Sequence, residues 1–161
     1  MSRETEISVM SSLPPVEELI PHRGTLLLVD RVVAFNDSAA DAEYAPRRDA
    51  WYADAEGSMP AWIGIEIMAQ TVAAHVSLLK RQRGMPAKMG ALLGTRSYRS
   101  AVSSFAAGQT LSIRAELVLS DPNGLGAYDC TIFQGQAPLA QAVLKVYEPE
   151  DFAAFVQGNL Q

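Results

Sequence analysis

With 161 residues, 48% of them hydrophobic and 19% charged, the chain is long enough to bury a core of its own and reads as a single domain over residues 1–161, of which 1–13 are a flexible start. A net charge of -5 excludes a general nucleic-acid binder, which needs surplus Lys and Arg to displace counterions from phosphates. The lone cysteine, Cys130, excludes an internal disulfide.

Residues 1–12 are polar and hold no signal-peptide run, so a cytoplasmic protein is expected. Pro14 and Pro15 open a short helical turn that Pro21 ends. Residues 25–35 (TLLLVDRVVAF) are dense in Leu and Val and predict a strand, with residues 39–45 as its hairpin partner. Residues 47–59 are polar and aperiodic, a loop leading to the next element.

Residues 60–83 predict the one long helix, begun by Pro60 and closed by Lys80, Arg81 and Arg83 before Gly84. Its apolar residues fall nearly all round, the pattern of a helix buried on most sides. The apolar stretch 62–79 has the length of a membrane span, but Glu66, Gln70 and His75 inside it are costly in lipid, so no span is expected. From residue 91 the period changes to strands. Residues 109–119 alternate Leu111, Ile113, Ala115, Leu117 and Leu119 inward against Ser112, Arg114 and Glu116 outward. Asp121-Pro122-Asn123-Gly124 turns the chain, 127–133 is a further strand, Gly135 turns again and 139–147 is the last. A helix apolar on most faces has to be enclosed, which a curved antiparallel sheet achieves. The class is therefore α+β with a central helix.

Three segments carry a family resemblance. Leu19-Ile20-Pro21-His22-Arg23 with the Leu26–Val32 run, Met59-Pro60 followed by Ile65-Glu66-Ile67-Met68-Ala69-Gln70, and Ala107-Gly108-Gln109-Thr110-Leu111 stand in the order found in the bacterial 3-hydroxyacyl-carrier-protein dehydratases of fatty-acid synthesis. The chain resembles that family over roughly residues 15–148 and, among its members, the dehydratase-like proteins of aryl-polyene pigment clusters. The resemblance implies a hotdog fold, one long central helix wrapped by a curved antiparallel sheet, and a site shared between two protomers. It also implies a catalytic His on the loop before the helix, paired with a helix carboxylate. Glu66 occupies the acidic position, but the corresponding loop position is Tyr52, and Ala61 stands where the family has Gly after Met-Pro.

Dehydration removes a proton from C2 of a 3-hydroxyacyl thioester and water from C3, so it needs a base, an acid and donors at the thioester oxygen. Glu66, on an apolar helix, suits the acid, since desolvation favours the protonated carboxyl; the bland reading is a buried carboxylate satisfied by Gln70 one turn along. The base is left between His22 and Tyr52. A phenol titrating near ~10 is a poor base at neutral pH, and His22 sits in a motif whose family role is structural. The first-turn amides of Ala61 and Trp62 are candidate holders of the thioester oxygen, with Met59 and Gln70 as further substrate contacts. His75, half a turn round the helix from Glu66, reads as a core histidine, Cys130 as an inert thiol, and Asp54 and Glu56 as solvated loop residues. No metal or cofactor motif is present, and none is expected.

The expected partners are an acyl carrier protein bearing a 3-hydroxyacyl group, docking on Arg81, Arg83, Arg96 and Arg99, and a second hotdog chain, in a homodimer or in a heterodimer whose other member supplies the missing His. As a half-site donor the chain would be impaired alone. A hotdog thioesterase, using a carboxylate to activate water, is the remaining alternative.

Overall fold

The computed structural model describes residues 13–86 and 90–159. Among the described residues, eight strands and two α-helices follow one another as β1 (Arg31–Phe35), β2 (Ala39–Tyr44), β3 (Met59–Pro60), α1 (Gly64–Gln82), β4 (Ala91–Ser100), β5 (Ser104–Phe105), β6 (Leu111–Ser120), β7 (Leu125–Gln134), β8 (Ala137–Tyr147) and α2 (Phe152–Asn159). Six strands form one antiparallel sheet in the order β1-β2-β6-β7-β8-β4, and β3 pairs with β5 in a two-residue ladder. α1 lies in the concave face, against β2, β6 and β7 above all. This is the hotdog arrangement, and the flexible start expected for residues 1–13 lies outside the described residues except for Leu13, which packs on the core.

The core follows from two periodicities. Along α1, Ile67, Met68, Val72, Ala74 and Leu78 point into the sheet, and along β6 Leu111, Ile113 and Ala115 point back at them. Each large aliphatic side chain withdrawn from water in this way contributes about 1.5–3 kcal/mol. Ala40 and Ala42 fill the facing part of β2. Their small side chains let helix and sheet approach closely. At the start of α1 a side chain on Gly64 would run into the Tyr98 hydroxyl, which donates to the Ala61 carbonyl and ties β4 to the helix entry. Gly135 takes a φ of 60° in the β7–β8 hairpin, a conformation glycine adopts without steric cost.

Four expectations are corrected. The strand predicted over 25–35 survives only as β1: Gly24–Leu26 is a 3-10 turn, and the next backbone N–H groups, those of Leu28 and Val29, donate to the Gln70 side chain instead of a neighbouring strand. Leu119 is not inward; the β6–β7 register shifts between Leu117 and Leu119, where two β6 residues oppose one on β7, and Leu119 ends up exposed. The helix predicted from residue 60 begins with a 3-10 turn over Ala61–Ile63. Nor is α1 with its entry turn enclosed all round, since Trp62 of the turn and Glu66, Ala69, Ala73, Val76 and Lys80 of the helix form a stripe that its own sheet leaves uncovered. α2 and the β3–β5 ladder were not expected from the sequence.

α1 with its entry turn is apolar and long enough to cross a membrane, but most of it is buried inside this domain. His75 is a core residue, as expected: its Nε2–H donates to the Asn36 carbonyl (2.8 Å) at the β1–β2 turn, and its Nδ1 accepts from the Tyr128 hydroxyl (2.7 Å). Burial lowers its pKa from the ordinary 6.5, the Asn36 bond acting in the other direction. The folded state therefore favours the neutral ring. Stability is full above about pH 6.5, the unfolded value, and falls as the pH drops from there toward the lower folded value. Urea midpoints should decline between pH 7.5 and 5.5 in the wild type and less so in His75→Gln; equal slopes in the two proteins would remove His75 as the cause.

Candidate active site

Two segments distant in sequence meet beside the open stripe of α1. After the 3-10 turn Val16–Glu18, Pro21 redirects the chain, and the Arg23 guanidinium folds back to donate to the carbonyls of Glu17, Ile20 and His22, each at 2.7 Å. The segment is thereby fixed with His22 facing the helix. His22 Nε2 lies 3.5 Å from Glu66 Oε1, an ion-pair distance when the ring carries a proton, while its Nδ1 is buried with no hydrogen-bond partner among the described residues. The side chains are 30% and 48% exposed, so both are reachable by a substrate.

Gln70 ties the segment to the helix. Fully buried, it accepts from the Leu28 and Val29 N–H groups through Oε1 (3.0 and 3.1 Å) and donates through Nε2 to the Leu26 carbonyl (2.7 Å) and to Glu66 Oε1 (3.1 Å). One amide thus orients the carboxylate and pins the chain that follows His22. Its hydrogen-bonding capacity is used within the protein. This corrects its reading as a substrate contact.

The other sequence candidates go elsewhere. Tyr52 is buried, hydrogen-bonded to the Tyr44 hydroxyl and accepting from the Arg47 N–H (2.9 Å). Burial and that phenol–phenol bond raise the Tyr44 pKa, and Arg47 reaches Asp30 at 2.6 Å, so the network fastens the 47–58 loop to β2. The structure brings His22, not Tyr52, to Glu66. Met59 is a fully buried core residue, and the Ala61 N–H donates to the Ser103 carbonyl (3.0 Å), so neither is placed as expected. The Trp62 ring is exposed one turn before Glu66. Glu66 itself is not a buried carboxylate: its side chain is half-exposed, where its apolar helix had suggested burial. Asp54 caps the loop by accepting from the Glu56 and Ser58 N–H groups, both at 2.9 Å, and Cys130 is buried with its thiol pKa pushed up to about 12, which leaves it unreactive. Arg96 and Arg99 are exposed on β4, Arg83 is exposed at the end of α1, and Arg81 lies 3.6 Å from Glu18.

His22 and Glu66 open onto a cavity of about 440 Å³ between α1, residues 17–23 and the adjoining ends of β4 and β8. Its remaining wall is mainly apolar, and at the far end Lys80 Nζ pairs with Glu148 Oε1 at 2.6 Å. Sequence reading missed this pair and the role of Arg23. The Pro-His-Arg motif was a signal for Arg23; nothing local signals a contact between helix end and strand end.

The profile of the ApeP-like family, described as ApeP dehydratase, matches residues 14–157. The dehydratase heterocomplex ApeI:P from Xenorhabdus doucetiae is 25% identical and superposes with a TM-score of 0.85, covering 92% of this chain and 99% of that one. The PaaI protein of the phenylacetic acid degradation operon of E. coli is 14% identical with a TM-score of 0.58, over 74% of this chain and 78% of that chain. A hypothetical thioesterase from Streptococcus pneumoniae, solved with coenzyme A, is 12% identical with a TM-score of 0.56, over 73% and 84%. The last two show a shared fold. No curated protein sequence matches the chain.

Proposed function

The chain belongs to the ApeP-like dehydratase family, and from that premise we propose that it eliminates water from a 3-hydroxyacyl thioester held on an acyl carrier protein, in polyene or fatty-acid type chain building in the cytoplasm, with His22 and Glu66 as the working pair. The observation that carries the residue assignment is the 3.5 Å approach of His22 Nε2 to Glu66 Oε1 at the mouth of an apolar cavity. One of the pair takes the C2 proton while the other protonates the departing C3 hydroxyl, so that the C2–H and C3–O bonds break, the C2=C3 bond forms and water leaves. The proton then crosses back between Nε2 and Oε1, and the pair is ready for another cycle. Nothing in the cavity singles out thioester hydrolysis, for which Glu66 alone would activate water.

A second reading has a specific observation in its favour. Glu66 is half-exposed on a stripe that this chain's own sheet does not cover, and a similar structure, ApeI:P, is a heterocomplex. In that reading the chain pairs along the edge of β4 with another hotdog chain, and Glu66 serves a His on the partner. Carrier-protein docking on Arg81, Arg83, Arg96 and Arg99 belongs to either reading.

Assaying the purified chain alone for conversion of a 3-hydroxyacyl carrier-protein substrate to the enoyl product decides between the two. With His22 and Glu66 sufficient, turnover is expected without any partner. Turnover that appears only when a His-bearing hotdog partner is added, and that survives His22→Ala, supports the composite site. No turnover under either condition rejects both.

A further inference from the structure

Between Glu66 and Lys80 the open stripe of α1 runs for about four turns, roughly 21 Å at ~1.5 Å per residue. Ala69, Ala73 and Val76 line the cavity along it, opposite Ile20, Leu92 and Val146. A larger residue at 69 or 73 would fill this groove; alanine leaves it open. The near end is the His22–Glu66 pair. At the far end Lys80 and Glu148 are only 14% and 20% exposed, so their ion pair is largely enclosed.

Both members of that pair are held by backbone. The Lys80 carbonyl accepts from Arg83 N–H (3.1 Å) and Met85 N–H (2.9 Å) at the end of the helix, and the Glu148 N–H donates to the Gly124 carbonyl (2.9 Å) at the β6–β7 turn. An apolar chain pushed past Val76 would strip water from two paired charges or separate them. That penalty exceeds what another buried methylene returns.

We propose that this groove receives the acyl chain of the thioester and that the Lys80–Glu148 pair sets the longest chain it admits. The inference deepens the dehydratase reading and rests on it for the identity of the ligand. The ceiling is the chain length whose end reaches the Lys80–Glu148 pair at the far end of the groove.

The probes are 3-hydroxyacyl N-acetylcysteamine thioesters from roughly four to roughly sixteen carbons, titrated calorimetrically into the full chain. Affinity is expected to rise several-fold for each added pair of carbons and to stop rising near the ceiling. In the Lys80→Met/Glu148→Leu double variant the break moves to longer chains while short-chain affinity is kept; in Ala73→Leu it moves to shorter ones. Affinity independent of chain length in the wild type overturns the proposal, as does a break that stays in place in both variants. Loss of self-association or partner association in Ala73→Leu with an unmoved break also overturns it, because the stripe is then a subunit contact. The readout is binding, so a chain that shows the break but never forms enoyl product fails the dehydratase reading and keeps the groove. A chain that dehydrates all lengths alike does the reverse.

Discussion

Replacing Glu66 with glutamine is expected to lower turnover of a 3-hydroxyacyl thioester by about 10²-fold or more, the usual size of losing a positioned acid or base. The substitution keeps the shape and the contact with Gln70, so loss of folding does not confuse the result. His22→Ala should produce a similar fall, and the double variant should be hardly worse than either single one, because groups that act as a unit are not additive. Tyr52→Phe is the contrast: its hydroxyl belongs to the Tyr44–Arg47 network, so turnover in the folded protein stays within several-fold of wild type. Steady-state formation of enoyl product, measured with and without a partner chain, reads all four. Full activity of Glu66→Gln under both conditions would sink the carboxylate's role, and full activity of His22→Ala alone would shift the base to the partner.

The largest effect on stability is expected at Gln70. Leucine there is of similar size but strands the Leu28 and Val29 N–H groups in the interior and unpairs the part-buried Leu26 carbonyl. Unpaired buried groups cost about 1–3 kcal/mol each, so the loss from the two N–H groups is about 2 kcal/mol or more. That is a large share of the ~5–15 kcal/mol that holds a typical domain together. Urea unfolding measures the loss, and the folded fraction should also turn over more slowly, since the chain carrying His22 is no longer pinned beside Glu66. A change under about 1 kcal/mol would show that ordered water replaces the amide, a substitution that is nearly as good enthalpically.

The helix and the hairpin strands were legible because their signals are periodic and local: α1 lies within residues 60–83 and β6 alternates as read as far as Ala115. Legibility failed where tertiary bonds replace local ones. Residues 25–30 have strand composition, yet a side chain from α1 captures the backbone at Leu28 and Val29 before it can join a ladder. The same amide decides the site. His22 and Glu66 are far apart in sequence, and what joins them is Gln70, whose place next to Glu66 on the helix was visible but whose reach to the β1 approach was not. Tyr52 illustrates the converse, because a correspondence with a family position says nothing about which way the side chain turns. An apolar helix predicts a desolvated Glu66. Its exposure depends instead on which stripe the sheet leaves bare.

The six-stranded sheet ends in two unequal edges, five residues of β1 with one register shift on one side and ten residues of β4 with two shifts on the other. The longer of them, β4, offers more backbone groups to a further strand. Because β4 neighbours its own sheet on one side alone, joining two such edges face to face uses up the capacity for growth in a single step. Assembly by this route would stop at a pair if the short β1 edge recruits no strand, whereas a sheet with two equivalent margins would invite continued stacking.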